Sequence, residues 1–360
     1  MMPDAVRIGL SISTRINAPA DTLPTYRGFL LAMENITNAA DLPVAVEWTM
    51  LDDEGNPEQS RSLAETVAAD PSYVGIVGPM GSTEAFANAP VFDEAGLLQV
   101  SPCGSHPDLC RRGYKTFFRL VPNEQVQGTE LARIAHHHLG AQQAAVVHDS
   151  DAFGTSVADN FESGYALLGG QVVARESFAQ GGDDYGSIAD AVAASSADIV
   201  FFAVHAHEGG AVSQAIRDRG MTVPFLGTDG LKTSFFLGGG EPGSEAYHTH
   251  SGCDFFRMPT AADFRNEYVS RFPPDSTYSP EAYDSAMMVA DAIRRADDTS
   301  REAVLTAFLS QDQYNGITGT VQFDPTGERL DAPVSFYRVR KTGDGRIMEY
   351  QGLTSEFSSL

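Results

Sequence analysis

Two glycine-bearing segments carry the residue types that hold a small anion. In GPMGSTEAFA, Gly78, Pro79 and Gly81 form a tight turn, and Ser82 and Thr83 stand where a helix begins. Hydroxyls and backbone N–H groups meet at such a point, and the helix dipole favours negative charge there. The pair reads either as a carboxylate-holding group or as a plain N-cap. In SPCGSHPDLCRRGY, Ser105 and Asp108 have capping-box spacing, Pro107 suits a first turn and Gly113 a C-cap, which predicts a one-turn helix. Started at a ligand crevice, that helix makes Ser105 and its neighbouring N–H groups a second wall for the same anion.

Further along, HDSDAFG (148–154) follows a strand and opens a helix, so Phe153 suits stacking on a ligand as well as packing in a core. FLGTDGLK puts Asp229 just past a strand in a glycine-flanked turn. There it is either a turn residue or, facing a crevice, the partner of an ammonium group. His205-x-His207 and His248-x-His250 would put paired imidazoles on one face of a strand, with Cys253 or Glu208 available to complete a set. The spacing matches no closed zinc motif, so no metal is expected. His136 to His138 read as a solvated helical segment. There is no G-x-S-x-G elbow, no Walker-A loop and no G-x-G-x-x-G after the first strand, where IGLSIST is followed by Arg15, Ile16 and Asn17. No cofactor and no catalytic set are expected.

These residues must be positioned by strands and helices that alternate along the chain, the signature of βαβ units around parallel sheets. Strands are predicted at 6–12, 44–51, 74–77 and 97–101, with helices at 26–37, 57–69 and 83–95. A second series follows, with strands at 144–148, 171–177, 199–204 and 224–226 and helices at 124–139, 156–168, 185–193 and 209–219. Helices at 261–272, 280–295 and 301–309 and β-like runs at 319–323 and 334–339 complete the chain. The fold class is α/β, as two doubly wound, Rossmann-like lobes. In open parallel sheets, ligands bind beyond the carboxyl ends of the strands, which is where the singled-out loops fall.

The 360 residues carry 24 Lys+Arg against 48 Asp+Glu, a net charge of −24 that repels nucleic acid and anionic lipid surfaces. A 42% hydrophobic share supports sizeable cores, and apolar runs stay far short of the roughly 18 to 20 residues that cross a bilayer. Residues 1–7 lead straight into VRIGLSIS without a basic and apolar leader. The expectation is a cytoplasmic protein or one whose targeting segment has been removed. Cys103 and Cys110 could close one small loop by a disulfide, and three cysteines cannot build a disulfide scaffold.

LDDEGNPEQS, VGIVGPMGST, GLLQVSPCGSHPDLCRRGYKTFFRL, VVHDSDAFG, DIVFFAVHAHEGGAVSQAIRDRG, PFLGTDG and YSPEAYDSAMMVADAI follow one another in an order that covers nearly all the chain, from Arg7 to Glu328. In that order and spacing the chain resembles the type I periplasmic binding protein fold, specifically the branched-chain amino acid (leucine/isoleucine/valine-type) solute-binding proteins of ABC transporters. The resemblance implies two lobes, 1–120 plus 250–328 and 121–249 plus 329–360, joined by three crossings near 119–122, 248–252 and 327–330. It implies capture of a small amino acid by hinge closure, outside the cytoplasm, by a monomer that delivers it to a permease. The ligand set it implies is Ser82 with Thr83 and Cys103, Gly104 and Ser105 on the α-carboxylate, Asp229 on the α-ammonium, and Phe153, His205 and Tyr278 around the side chain. Asp229 is one methylene shorter than the Glu more usual in the family, and Gly55 and Gly81 stand where some relatives form a disulfide. A ligand-sensing domain of a receptor or amide-type regulator would use the same frame. A metal-dependent hydrolase would have to rest on the histidines alone.

Overall fold

The computed structural model describes residues 5–14, 19–179, 181–182, 184–204, 206–231, 245–274, 277–342 and 345–357. Along the chain run β1 (Ala5–Ile12), α1 (Pro19–Asn38), β2 (Ala45–Asp52), α2 (Pro57–Ala69), β3 (Tyr73–Val77), α3 (Ser82–Glu94), β4 (Leu98–Ser101), α4 (Asp108–Arg111) and β5 (Phe117–Arg119). Next come α5 (Glu124–Arg133), β6 (Gln143–Asp149), α6 (Ala152–Leu167), β7 (Gln171–Phe178), α7 (Gly186–Ala194), β8 (Ile199–Ala203), α8 (Ala206–Asp218), β9 (Phe225–Gly227) and β10 (Ala246–His250). Last are α9 (Ala262–Arg271), α10 (Ser279–Arg295), α11 (Arg301–Leu309), β11 (Tyr314–Gly316), β12 (Gly319–Val321), β13 (Ser335–Thr342) and β14 (Gly345–Leu353).

The chain divides into two compact units, Met1–Pro122 with Asp254–Ala332 and Asn123–Cys253 with Pro333–Leu360. In the first, a parallel sheet has the order β2-β1-β3-β4-β5. Its central strands are buried on both faces, which is why β3 reads as a nearly continuous apolar run. The edge strand β2 alternates instead. Register sets Leu10 beside Val77, Val77 beside Val100 and Ser101 beside Arg119, so the loops after β3 and β4 leave the same edge of the sheet side by side. Asn56 caps α2 by accepting from the N–H groups of Glu58 and Gln59, with Pro57 at the first turn.

The second unit repeats this order as β7-β6-β8-β9-β10, all parallel, and adds β13 and β14 antiparallel on the β10 edge. In both sheets the connections reverse direction between the first and third strands of the series, the switch point at which doubly wound sheets bind ligands. His148 lies beside Ala203, and Phe202 and His248 flank the row of Gly227, so the loops after β6, β8 and β9 also emerge together.

Several local expectations are corrected. The helix expected from residue 26 starts at Pro19 and carries Pro24 as its sixth residue. Residues 246–250, for which no strand is expected, form β10, whose His and Thr side chains are buried in the sheet. His207 lies on α8 and not on a strand. Among the described residues, no helix is long and apolar enough to cross a membrane.

Candidate functional site

In the first unit, the loops after β3 and β4 are joined by a single buried hydroxyl. Ser101 Oγ donates to the Pro79 carbonyl (3.1 Å) and accepts from the Gly104 N–H (2.9 Å). Gln99 Nε2 donates to the Gly78 carbonyl at 3.1 Å, and the Gly78 N–H donates to Val100 O at 3.0 Å. Farther out, Ser82 Oγ accepts from the N–H groups of Ser105 (3.2 Å) and His106 (3.1 Å), while Cys103 Sγ lies 3.3 Å from Met80 Sδ. The fold thus brings Ser82, Cys103, Gly104 and Ser105 into one hydrogen-bonded group.

The local details differ from the sequence reading. Gly81, not Ser82 or Thr83, is the N-cap of α3, and Thr83 is exposed on its first turn. The capping box expected of Ser105 does not form, because the Asp108 N–H is taken by His106 Nδ1 at 3.2 Å. Burial lowers the His106 pKa, an effect opposed by the charge of Asp108. Cys103 and Cys110 are both free thiols, and burial pushes the Cys110 thiol up to about 12. Tyr278 is the N-cap of α10, half-buried and in the left-handed region at φ +57°. The neighbouring Thr277 carbonyl accepts from Thr25 Oγ1 of α1.

In the second unit, Asp229 opens a single 3₁₀ turn directly after β9 and is half-buried. Its Oδ1 accepts from Gln127 Nε2 at 2.8 Å. Gln127, buried on the first turns of α5, bonds through the same amide nitrogen to Ser251 Oγ just past β10. Thr228, Thr249, His250 and Glu124 are buried as well. Asn123 starts α5 by accepting from the Val126 N–H at 3.0 Å, which sets Gln127 on the side of the helix that meets Asp229. A carboxylate held by a neutral amide keeps its aim, a condition for pairing with a cation.

Phe153 sits on the first turn of α6, half-buried against the core that contains Phe161 and Phe201. His205 lies outside the described residues. His248 and His250 are buried on one face of β10, with the His248 ring stacked on Tyr337 at 5.0 Å and 7°. Among the described residues, no three His, Cys, Asp or Glu side chains are grouped to hold a metal ion.

A profile of the family described as periplasmic binding protein matches residues 6–344. The chain belongs to the periplasmic binding protein family. Its fold is that of the type I periplasmic binding proteins. Leu/Ile/Val-binding protein homolog 3 of Brucella melitensis is 27% identical over 299 residues, covering 82% of this chain and 80% of the relative. The leucine binding protein LivK of Thermotoga maritima superposes with a TM-score of 0.86 at 22% identity, covering 97% of this chain and 98% of the other. A solute binding protein of an ABC transporter from R. palustris, in complex with 4-hydroxybenzoate, superposes at 0.84 and 19% identity, over 97% of each chain.

Three residues of this binding protein that build the candidate site carry no local signal. Arg119, Gln127 and Asp53 act through partners far away in sequence or through burial alone. Ser11, whose carbonyl lies against Gly78, donates to the buried Asp53 carboxylate at 3.4 Å. Burial pushes the Asp53 pKa up to about 6; the Gly55 N–H at 3.0 Å opposes the rise and the charge of Glu84 adds to it.

Because the folded pKa lies above the ordinary 3.8, folding favours the protonated acid. That contribution is complete below pH 3.8 and is lost as pH rises through 6. Asp53→Asn keeps an acceptor for Gly55 and removes the buried charge. The substitution is expected to stabilise the protein by about 2 kcal/mol more at pH 7.5 than at pH 4. Urea unfolding midpoints at the two pH values check this, and equal gains at both would contradict a raised Asp53 pKa.

Proposed function

We propose that this periplasmic binding protein captures a small aliphatic amino acid outside the cytoplasm and delivers it to an ABC transporter permease, without catalysis, as a monomer and without a cofactor. The α-carboxylate meets Ser82, Thr83, Cys103, Gly104 and Ser105 in the first unit. The α-ammonium meets Asp229 in the second, and Phe153, His205 and Tyr278 surround the side chain. The observation that carries the reading is the pairing of chemistries. One unit holds a hydroxyl whose oxygen accepts from two N–H groups within 3.2 Å, which orients its own hydrogen, and the other holds a carboxylate aimed by a buried amide. Together they match the two ends of a zwitterion, and the Leu/Ile/Val name of the Brucella relative supports the aliphatic class.

The test is a thermal-shift screen of ligand-stripped protein against L-leucine, L-isoleucine, L-valine, the remaining amino acids and 4-hydroxybenzoate. A true ligand at about 100 times its dissociation constant stabilises the folded state by roughly 2.7 kcal/mol, which raises the midpoint clearly. Shifts with aliphatic amino acids are expected. A shift with 4-hydroxybenzoate and none with any amino acid would overturn the reading.

A further inference from the structure

We infer that Arg119 is the positioning residue of the carboxylate-binding loop: its guanidinium fixes the peptide planes of residues 104–107 so that the N–H groups of Ser105 and His106 meet Ser82 Oγ and turn its hydroxyl hydrogen toward the ligand. This rests on the reading of the loop as a carboxylate site.

The geometry starts from the last residue of β5. Arg119 pairs in register with Ser101, the root of the β4 loop, and its own N–H donates to Gly327 O at 3.0 Å. The side chain is fully buried, and Nη1 donates to both Gly104 O (3.1 Å) and His106 O (2.7 Å). Nε donates to Glu328 Oε2 at 3.2 Å, and Nη2 pairs with the other oxygen of the same carboxylate. Glu328 is itself held by a turn in which the Asp324 carboxylate accepts its N–H at 3.1 Å.

A trans peptide is planar, so its C=O and N–H point in opposite directions. Drawing the Gly104 carbonyl onto Arg119 therefore turns the Ser105 N–H the other way, and there it meets Ser82 Oγ. Drawing in the His106 carbonyl fixes the following plane, whose nitrogen belongs to Pro107 and offers no donor. The Ser105–His106 peptide between them is left with one orientation, and its N–H also meets Ser82 Oγ. Two donors then converge on Ser82 Oγ, which fills its lone pairs and leaves its hydroxyl hydrogen as the donor to a carboxylate oxygen.

A buried ion pair is a poor means of stabilising a core, since apolar side chains of similar volume do as well or better. An arginine is suited to this place because its planar fork reaches two carbonyls and a carboxylate at once, which a lysine cannot do.

The experiment compares wild type with Arg119→Lys by calorimetric titration with L-leucine and with L-leucinamide, which keeps the ammonium and lacks the carboxylate. Hydrogen exchange of the 103–106 amides is read alongside. Arg119→Lys is expected to weaken L-leucine at least 30-fold, to change L-leucinamide less than threefold, and to speed exchange at Ser105 and His106. Equal losses for both ligands, or unchanged exchange, would reduce Arg119 to a structural role and overturn the inference. Should Arg119→Lys fail to fold, Glu328→Gln frees the guanidinium while retaining it. A roughly fivefold loss confined to L-leucine is expected from that variant, and equal losses for both ligands, or none, would overturn the inference. If wild type binds neither ligand, the carboxylate reading and the inference both fail, whereas exchange at Ser105 and His106 still reports whether Arg119 orders the loop.

Discussion

Asp229→Ala is expected to weaken L-leucine binding by at least 100-fold while shifting the unfolding midpoint of the ligand-free protein by no more than about 2 °C. Truncating one partner of a desolvated, hydrogen-bonded charge pair typically forfeits about 2–5 kcal/mol, because the other charge is left buried and unpaired. At about 1.4 kcal/mol per factor of ten, the middle of that range gives the stated loss. Stability is little affected because Asp229 is half-buried in a turn and Gln127 retains its bond to Ser251 in the variant. Asp229→Asn separates charge from shape, since an amide oxygen still accepts from Gln127 but no longer neutralises an ammonium. Its affinity should fall close to that of the alanine variant. Calorimetric titration checks both, and affinity within threefold of wild type in either would remove Asp229 from the ammonium role.

Much of the frame behind this result is readable in local sequence. The central strands declare themselves because both faces of a parallel sheet are buried, so β3, β6 and β8 carry short, nearly unbroken apolar runs, while β1 is legible by its alternation. The loops carrying Ser82, Ser105 and Asp229 are legible for a related reason. A small or acidic residue directly after such a strand must lie at the carboxyl edge, where ligands bind in this class of sheet.

What local reading misses is set by distance. The run AYHTH lacks an apolar pattern, and only the neighbours of β10, β9 and β13, the latter some 90 residues on, explain why His248, Thr249 and His250 are buried. Ser105 has the spacing of a capping box, yet its N–H is drawn to Ser82 and the cap passes to His106, a choice made by a loop 23 residues earlier. Arg119 is the extreme case. In sequence it closes the strand FFR, and its role depends on Glu328, 209 positions away.

Gly78→Ala should be strongly destabilising to the first unit, lowering the unfolding midpoint by about 6–12 °C. Gly78 has φ +111°, and a Cβ built there lies 2.2 Å from the backbone carbonyl oxygen of Ser11. The residue cannot turn away, because its N–H is tied to Val100 O and its carbonyl to the Gln99 amide. Left-handed strain of about 1–2 kcal/mol adds to about 1–3 kcal/mol for forcing atoms into a packed site. The sum is about 3 kcal/mol, and a domain of this size loses roughly 2–4 °C per kcal/mol. Gly96→Ala is the control, since Gly96 also has positive φ (+64°) but a Cβ there meets nothing within 4 Å. That variant bears the backbone strain alone and should lose about 1 kcal/mol. Because Gly78 opens the loop that ends in Ser82, its displacement should also weaken L-leucine about tenfold, whereas Gly96→Ala should leave affinity unchanged. Thermal unfolding of the two variants side by side decides the matter. A Gly78→Ala midpoint no lower than that of Gly96→Ala would mean the loop yields freely, and a loop that yields could not hold two N–H groups in register for a carboxylate.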